Sequence, residues 1–162
     1  MKLNAEIARQ VFTYDPAEGV LRWAVARRKG GAIGDIAGSL TNGTRQLEYD
    51  GKSYLAHRVI WLYVTGQWPA RLIDHINGDR QDNRWSNLRD VSRVVNAQNI
   101  RSANSNNNSQ LLGASYCLWN QRWRSQITIY GTKWHLGYFD TAEAAHEQHL
   151  WYKRWFHEGC EI

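Results

Sequence analysis

Leu72-Ile-Asp-His-Ile-Asn-Gly-Asp-Arg-Gln-Asp-Asn-Arg-Trp-Ser-Asn-Leu-Arg89 runs directly into Asp90-Val-Ser-Arg-Val-Val-Asn-Ala-Gln-Asn99. The short apolar start places Asp74 and His75 at the end of a strand. A loop of Asn, Asp and Gly then returns the chain to Ser86–Arg89, which reads as a second strand. A helix beginning near Asp90 carries Asn96 and Asn99 on one face at i and i+3, with Val91, Val94 and Val95 turned to the core. Asn is a poor helix former, so two of them need a tertiary reason. A strand–loop–strand–helix hairpin of this kind gathers Asp74, His75 and Asn96. Two readings stay open at this level. Oxygens of Asp74 and Asn96 can hold a divalent cation such as Mg²⁺, with phosphate and water completing the shell. His75 then serves as general base for water attacking phosphorus, and the cation steadies the phosphate and the leaving 3′-oxygen. Alternatively, the same side chains tie the loop to its own backbone.

Outward from this stretch the chain divides. Arg101-Ser-Ala-Asn-Ser-Asn-Asn-Asn-Ser-Gln110 has no apolar periodicity and reads as a linker between modules that grip separate patches of one ligand. Before the hairpin, Leu3, Ile7 and Val11 fit a short helix over 3–11, and Tyr14–Gly19 is a turn ahead of a Val20–Trp23 strand. Arg27-Arg-Lys-Gly-Gly31 is a basic loop suited either to solvent or to phosphate. Strands follow at 44–49 and 52–56 around the Asp50-Gly51 turn, then a buried helix Ala56–Val64 ended by Gly66 and Pro69. After the linker, strands at 112–118, 122–130 and 132–139 precede a helix from about 141 to 157, with Asp140 and Glu143 as its capping box. On that helix His146 and His149 read as surface residues.

Composition sets limits. The 162 residues are 43% hydrophobic, enough for packed cores, and no apolar run is long enough to span a bilayer. The first residues lack a signal-peptide core, so a cytoplasmic setting is expected. Two cysteines, Cys117 and Cys160, exclude a four-cysteine zinc site or a disulfide framework. The net charge is +5; residues 1–110 hold 15 basic and 10 acidic residues, and 111–162 hold 5 of each. Within 111–139 stand Arg122, Arg124 and Lys133 and no acid, whereas five acids follow Phe139. The second module is therefore basic on its sheet and acidic on its helix, which suits contact with nucleic acid. Alternation along its middle strand puts Trp123, Ser125 and Ile127 inward, leaving Arg124, Gln126 and Thr128 outward with Lys133 and His135.

The run Asp74-His75-Ile-Asn-Gly-Asp-x-x-Asp-Asn-x-x-x-Asn87-Leu-Arg, with Asn96 and Asn99 beyond it, resembles the HNH nucleases in their homing branch. Tyr54-x-x-His57-Arg58 and Gly66-x-Trp68-Pro69 extend the likeness over residues 50–100. The resemblance implies a ββα-metal unit that cuts or nicks double-stranded DNA. It implies His75 as base, Asp74 and Asn96 as ligands of one Mg²⁺ or Mn²⁺, and Asn87 as the residue that braces the loop and orients the base. No structural zinc is expected. Asn99, His57 and Arg58 are accessory candidates. His57 fits packing or a hydrogen bond back to the hairpin; Arg58 fits either a phosphate or a buried acid.

Residues 111–157 resemble the AP2 DNA-binding domain through Gly113, Trp119, Trp123-x-x-x-Ile127, Leu136-Gly137-x-Phe139-Asp140-Thr141 and Glu143-Ala144-Ala145. That likeness implies a three-stranded sheet laid in the major groove. Arg122, Arg124, Gln126, Thr128, Lys133 and His135 are then the contacts, with Arg27, Arg28 and Lys29 as further phosphate candidates. The fold class expected is α+β. Its modules are residues 1–55 (a small β-rich and helical region, separate or part of the nuclease), 56–100 (the nuclease core), 101–110 (linker) and 111–162 (AP2-like domain). No membrane or protein partner is implied, and a monomer and a homodimer are both compatible. The rival function is a DNA-binding regulator that keeps the HNH fold as a scaffold. RNA binding is disfavoured by the narrow groove of A-form duplexes.

Overall fold

The chain folds as two units, Met1–Val91 and Ser92–Ile162, in a computed structural model that describes residues 2–27, 31–104, 106–158 and 160. The described residues form a mixed α/β arrangement of small sheets and four α-helices.

In the first unit, α1 (Ala5–Val11) is capped by Asn4, whose side chain accepts from the Ile7 N–H at 2.9 Å. It leads directly into β1 (Phe12–Asp15), which pairs antiparallel with β2 (Val20–Trp23). Sequence reading finds β2 but not β1, because the turn signal of Asp15–Gly19 masks the strand before it. The sheet of β3 (Ser39–Thr41), β4 (Thr44–Tyr49) and β5 (Lys52–Leu55) follows in that spatial order. Tyr49 pairs with Lys52, leaving Asp50 (φ 51°) and Gly51 (φ 71°) as a two-residue hairpin turn, which requires two positive φ angles. β3, exposed throughout, carries no apolar alternation to announce it.

α2 (Ala56–Thr65) buries Ala56, His57, Val59, Ile60 and Leu62 and ends at Gly66, whose N–H donates to the Leu62 carbonyl at 2.9 Å. These side chains join Leu3, Phe12, Leu21, Trp23, Leu47, Ile73 and Leu88 in one core. That core backs the last hairpin of the unit, β6 (Leu72–His75) and β7 (Leu88–Val91). The second strand thus begins at Leu88 rather than Ser86; Trp85–Asn87 is a 3₁₀ turn. It continues through Asp90 and Val91, where a helix start is expected. The reason is the Asp90 carboxylate, which accepts from the N–H groups of Ala70 and Arg71 and so holds β7 beside the start of β6.

In the second unit, α3 (Arg93–Gln98) is capped by Ser92, whose hydroxyl accepts from Val95 N–H. Asn99 is not inside this helix but forms its C-cap. Val94, expected in the core, is 56% exposed. The sheet order is β10–β9–β8, with β8 at Ala114–Cys117, β9 at Arg122–Ile129 and β10 at Thr132–Phe139. α4 (Ala142–Phe156) packs on it and buries Ala142, Ala145, His149 and Lys153. Its cap is Thr141, which accepts from Ala144 N–H at 3.1 Å; the expected cap, Asp140, is instead paired with Arg122. Described residues of 101–110 belong to this unit, where Asn107 and Ser109 tie the chain locally: Ser109 Oγ donates to the Ala114 carbonyl at 2.8 Å.

Candidate active site

Alternation along β6 would put neighbouring side chains on opposite faces, yet Ile73, Asp74 and His75 are all buried. The hairpin is covered on both sides, so its polar members must find partners. Asp74 lies opposite Arg89 in the β6–β7 register, a cross-strand pair on one face. Arg89 donates from Nε (3.0 Å) and Nη2 (2.8 Å) to Asp74 Oδ2. Asp74 is 7% exposed, so this is a charge-assisted pair out of bulk water rather than a weak surface bridge.

The loop between the strands is held by its own amides. Asn87 accepts from the Asn77 N–H (2.9 Å) and donates to Asn77 Oδ1 (3.0 Å) and to the Asp82 carbonyl (2.7 Å). Asn77 donates to Asp82 Oδ2 (2.7 Å), and Asp82 also takes Arg84. The Arg84 hydrogen bond brings the Asp82 carboxyl down to about 2. Loop-tying is thus a real function of Asn87, Asn77 and Asp82, while Asp74 pairs across the strands with Arg89 and His75 bonds to Asn83 of the loop.

His75 is 6% exposed, and its Nε2 lies 2.9 Å from Asn83 Oδ1. Asn83 is 4% exposed, and its carbonyl accepts from the Tyr14 hydroxyl at 2.8 Å. On the other side, the His57 ring stands edge-on to His75, 5.1 Å between centroids and 87° between planes. Burial first, then His75 and Arg58, push the His57 imidazole down to about 4. His57 therefore stays neutral beside His75 at ordinary pH, in keeping with the packing role. Among the described residues Arg58 meets no acid: it donates to the carbonyls of Arg71 (3.0 Å) and Pro69 (3.5 Å), closing the turn into β6.

The first unit therefore brings together Asp74, His75, Asn87, His57 and Arg58. Asn96 and Asn99 lie in the second unit, Asn96 half-buried and Asn99 buried. Arg89, Asn83 and Tyr14 were missed by sequence reasoning. Arg89 was within reach of it, because the antiparallel hairpin sets it across from Asp74. Nothing local marks Asn83 among its polar neighbours or links it to Tyr14.

On the second unit's sheet, register places Thr128 beside Lys133, Gln126 beside His135, and Arg124 beside Ser115. One face thus carries Arg122, Arg124, Gln126, Thr128, Lys133 and His135. Arg122 is paired with Asp140 at 2.6 Å, and Arg124 Nη2 reaches Ser115 Oγ at 3.4 Å. Arg27 stacks its guanidinium 4.2 Å over the Trp23 ring; Arg28 and Lys29 lie outside the described residues. The helix histidines are not surface residues. Nδ1 of His146 sits 2.7 Å from the Leu112 carbonyl, and buried His149 sits 2.9 Å from that of Gln126.

Residues 54–98 match the HNH endonuclease family. The matched span takes in His57, Arg58, Asp74, His75, Asn83, Asn87, Arg89 and Asn96, and it supports a hydrolase acting on DNA. No curated protein and no solved structure matches the chain. HNH nucleases generally use a divalent metal. Among the described residues no three His, Cys, Asp or Glu side chains gather as a metal site. The donors at hand are oxygens: a buried carboxylate that already accepts a cationic partner, and amides nearby in sequence. That set fits a hard cation sharing its shell with phosphate and water, not a thiolate-bound one. No helix among the described residues is long and apolar enough to cross a membrane.

Proposed function

We propose that the chain is a homing-type HNH endonuclease that hydrolyses a phosphodiester bond in duplex DNA, nicking one strand per active site. The observation that supports this reading best is the buried Asp74–His75 pair at the end of β6, inside the HNH-matched span. His75 takes the proton from the attacking water. Asn87 keeps the loop closed so that the imidazole holds its place. Asp74 and Asn96 are the residues that would hold one Mg²⁺ or Mn²⁺, which when bound neutralises charge on the phosphate and the departing 3′-oxygen. Arg89 holds the Asp74 carboxylate through Oδ2, and its guanidinium would be a partner for a phosphate oxygen. Products carry a 5′-phosphate and a 3′-hydroxyl.

In this proposal the β8–β10 sheet is an AP2-like module that enters the major groove, with Arg124 and Gln126 toward base edges and Lys133 toward phosphate. Two active sites, supplied by a dimer or by two events, are needed for a double-strand break. The test is conversion of supercoiled plasmid bearing a selected binding site, with Mg²⁺, Mn²⁺ or EDTA. Metal-dependent open circle, lost in His75→Ala while duplex binding persists, supports the nuclease. Tight duplex binding by a wild type that cuts with neither metal replaces it with the regulator.

A further inference from the structure

Asn83 lies outside the groups used in the proposed reaction, yet its side chain bonds directly to His75. Its Nδ2 points to the Gln81 carbonyl at 3.4 Å, which leaves Oδ1 facing His75 Nε2 at 2.9 Å. The reverse amide orientation would set two oxygens against each other at Gln81. An amide oxygen only accepts, so Nε2 must donate. In the neutral ring the lone pair then resides on Nδ1.

We propose that Asn83 is the positioning residue for His75: it fixes the tautomer with the proton on Nε2 and so makes Nδ1 the basic nitrogen. The inference rests on the reading of His75 as general base. It also gives the β1–β2 hairpin a role. Tyr14 on β1 donates to the Asn83 carbonyl at 2.8 Å, and the Trp85 N–H donates to the Pro16 carbonyl at 3.2 Å. Gly19 (φ +73°) presses against the same place: a Cβ there would lie 2.5 Å from the Asn83 carbonyl carbon and 2.4 Å from the Arg84 nitrogen. A residue far from His75 in sequence thus fits flush against the backbone that aims its imidazole.

The test measures ¹⁵N shifts of the His75 ring in the full chain, together with the single-turnover nicking rate and duplex affinity. The wild type is expected to show a protonated Nε2 and an unprotonated Nδ1 in its neutral ring. Asn83→Leu keeps the volume but removes the acceptor. It should mix the tautomers and lower the rate by about a hundredfold, toward the loss of general-base catalysis, with affinity unchanged. Asn83→Asp restores the acceptor and should restore the wild-type tautomer and most of the rate. Simple packing predicts the opposite order, with Leu tolerated and Asp not, and that order would overturn the proposal. So would a wild-type ring protonated on Nδ1. If the Leu variant does not fold, Tyr14→Phe provides the comparison: unchanged ring shifts and rate there refute the seat supplied by β1. A wild type with the expected tautomer that binds DNA and never cuts leaves the hydrogen bond standing and overturns its catalytic meaning with the function beneath it.

Discussion

Replacing Asn87 by Ala removes the three hydrogen bonds that close the loop between β6 and β7: one accepted from the Asn77 N–H and two donated, to Asn77 Oδ1 and the Asp82 carbonyl. Each is part-buried, so about 1 kcal/mol apiece is a fair net value, and the sum is about 3 kcal/mol. Water has little room to replace them, since Asn87 is buried. For a unit the size of Met1–Val91, that loss lowers the melting temperature by about 10–20 °C. Differential scanning calorimetry reads the shift, and hydrogen exchange at the amides of Asn77 and Gly78 reads its location. Protection there should fall more than in α2, because the lost bonds all belong to the loop. A melting temperature within about 2 °C of wild type, with those amides still protected, would refute the idea that Asn87 is the loop's brace.

Other outcomes follow from the same geometry. Burial holds His57 and His149 at about 4, below the unfolded value of 6.5. Unfolded chains bind these protons first, so the associated stability is present above pH 6.5 and lost as pH falls toward 4. His57→Phe should flatten that loss in the first unit by an amount on the order of 3 kcal/mol. It should cost nothing at pH 7, where buried His57 Nδ1 has no hydrogen-bond partner; chemical denaturation across pH 4–8 checks both statements. Lys133→Ala on the exposed sheet face should weaken duplex binding at all sequences and reduce the salt slope by about one, measured by fluorescence anisotropy. Arg122→Ala should change stability by less than about 0.5 kcal/mol, because its pair with Asp140 is exposed.

The β6 hairpin was the most legible part of the chain: apolar start, Asx-rich loop and the Asp74-His75 pair all survive in the structure, as do β4, β5, α2 and the three strands and helix of the second unit. Where local signals competed, the reading slipped. Asp90 sits before a capping Ser and looks like a helix start, but its carboxylate is committed to the backbone of Ala70 and Arg71, which only the tertiary fold reveals. Asp140 looks like a cap by its spacing to Glu143, yet Thr141 is better placed and Arg122 claims the acid. His149 lies on the buried side of a helix that leaves Trp151, Trp155 and Phe156 exposed, so its face could not be told by periodicity. Asn83 and Tyr14 are 69 residues apart, and their bond depends on β1 folding back against the loop. Partnerships of that range are invisible to spacing.

The chemistry proposed for the Asp74–His75 hairpin is hydrolysis of DNA. Single-turnover cleavage of a selected duplex, labelled on each strand in turn, tests it most directly when wild type, His75→Ala and Asp74→Ala are compared at equal occupancy. On this chemistry the wild type cuts one strand in a metal-dependent reaction and leaves a 3′-hydroxyl at the break, and each variant loses about a hundredfold or more with binding retained. Equal cleavage by wild type and His75→Ala would contradict it.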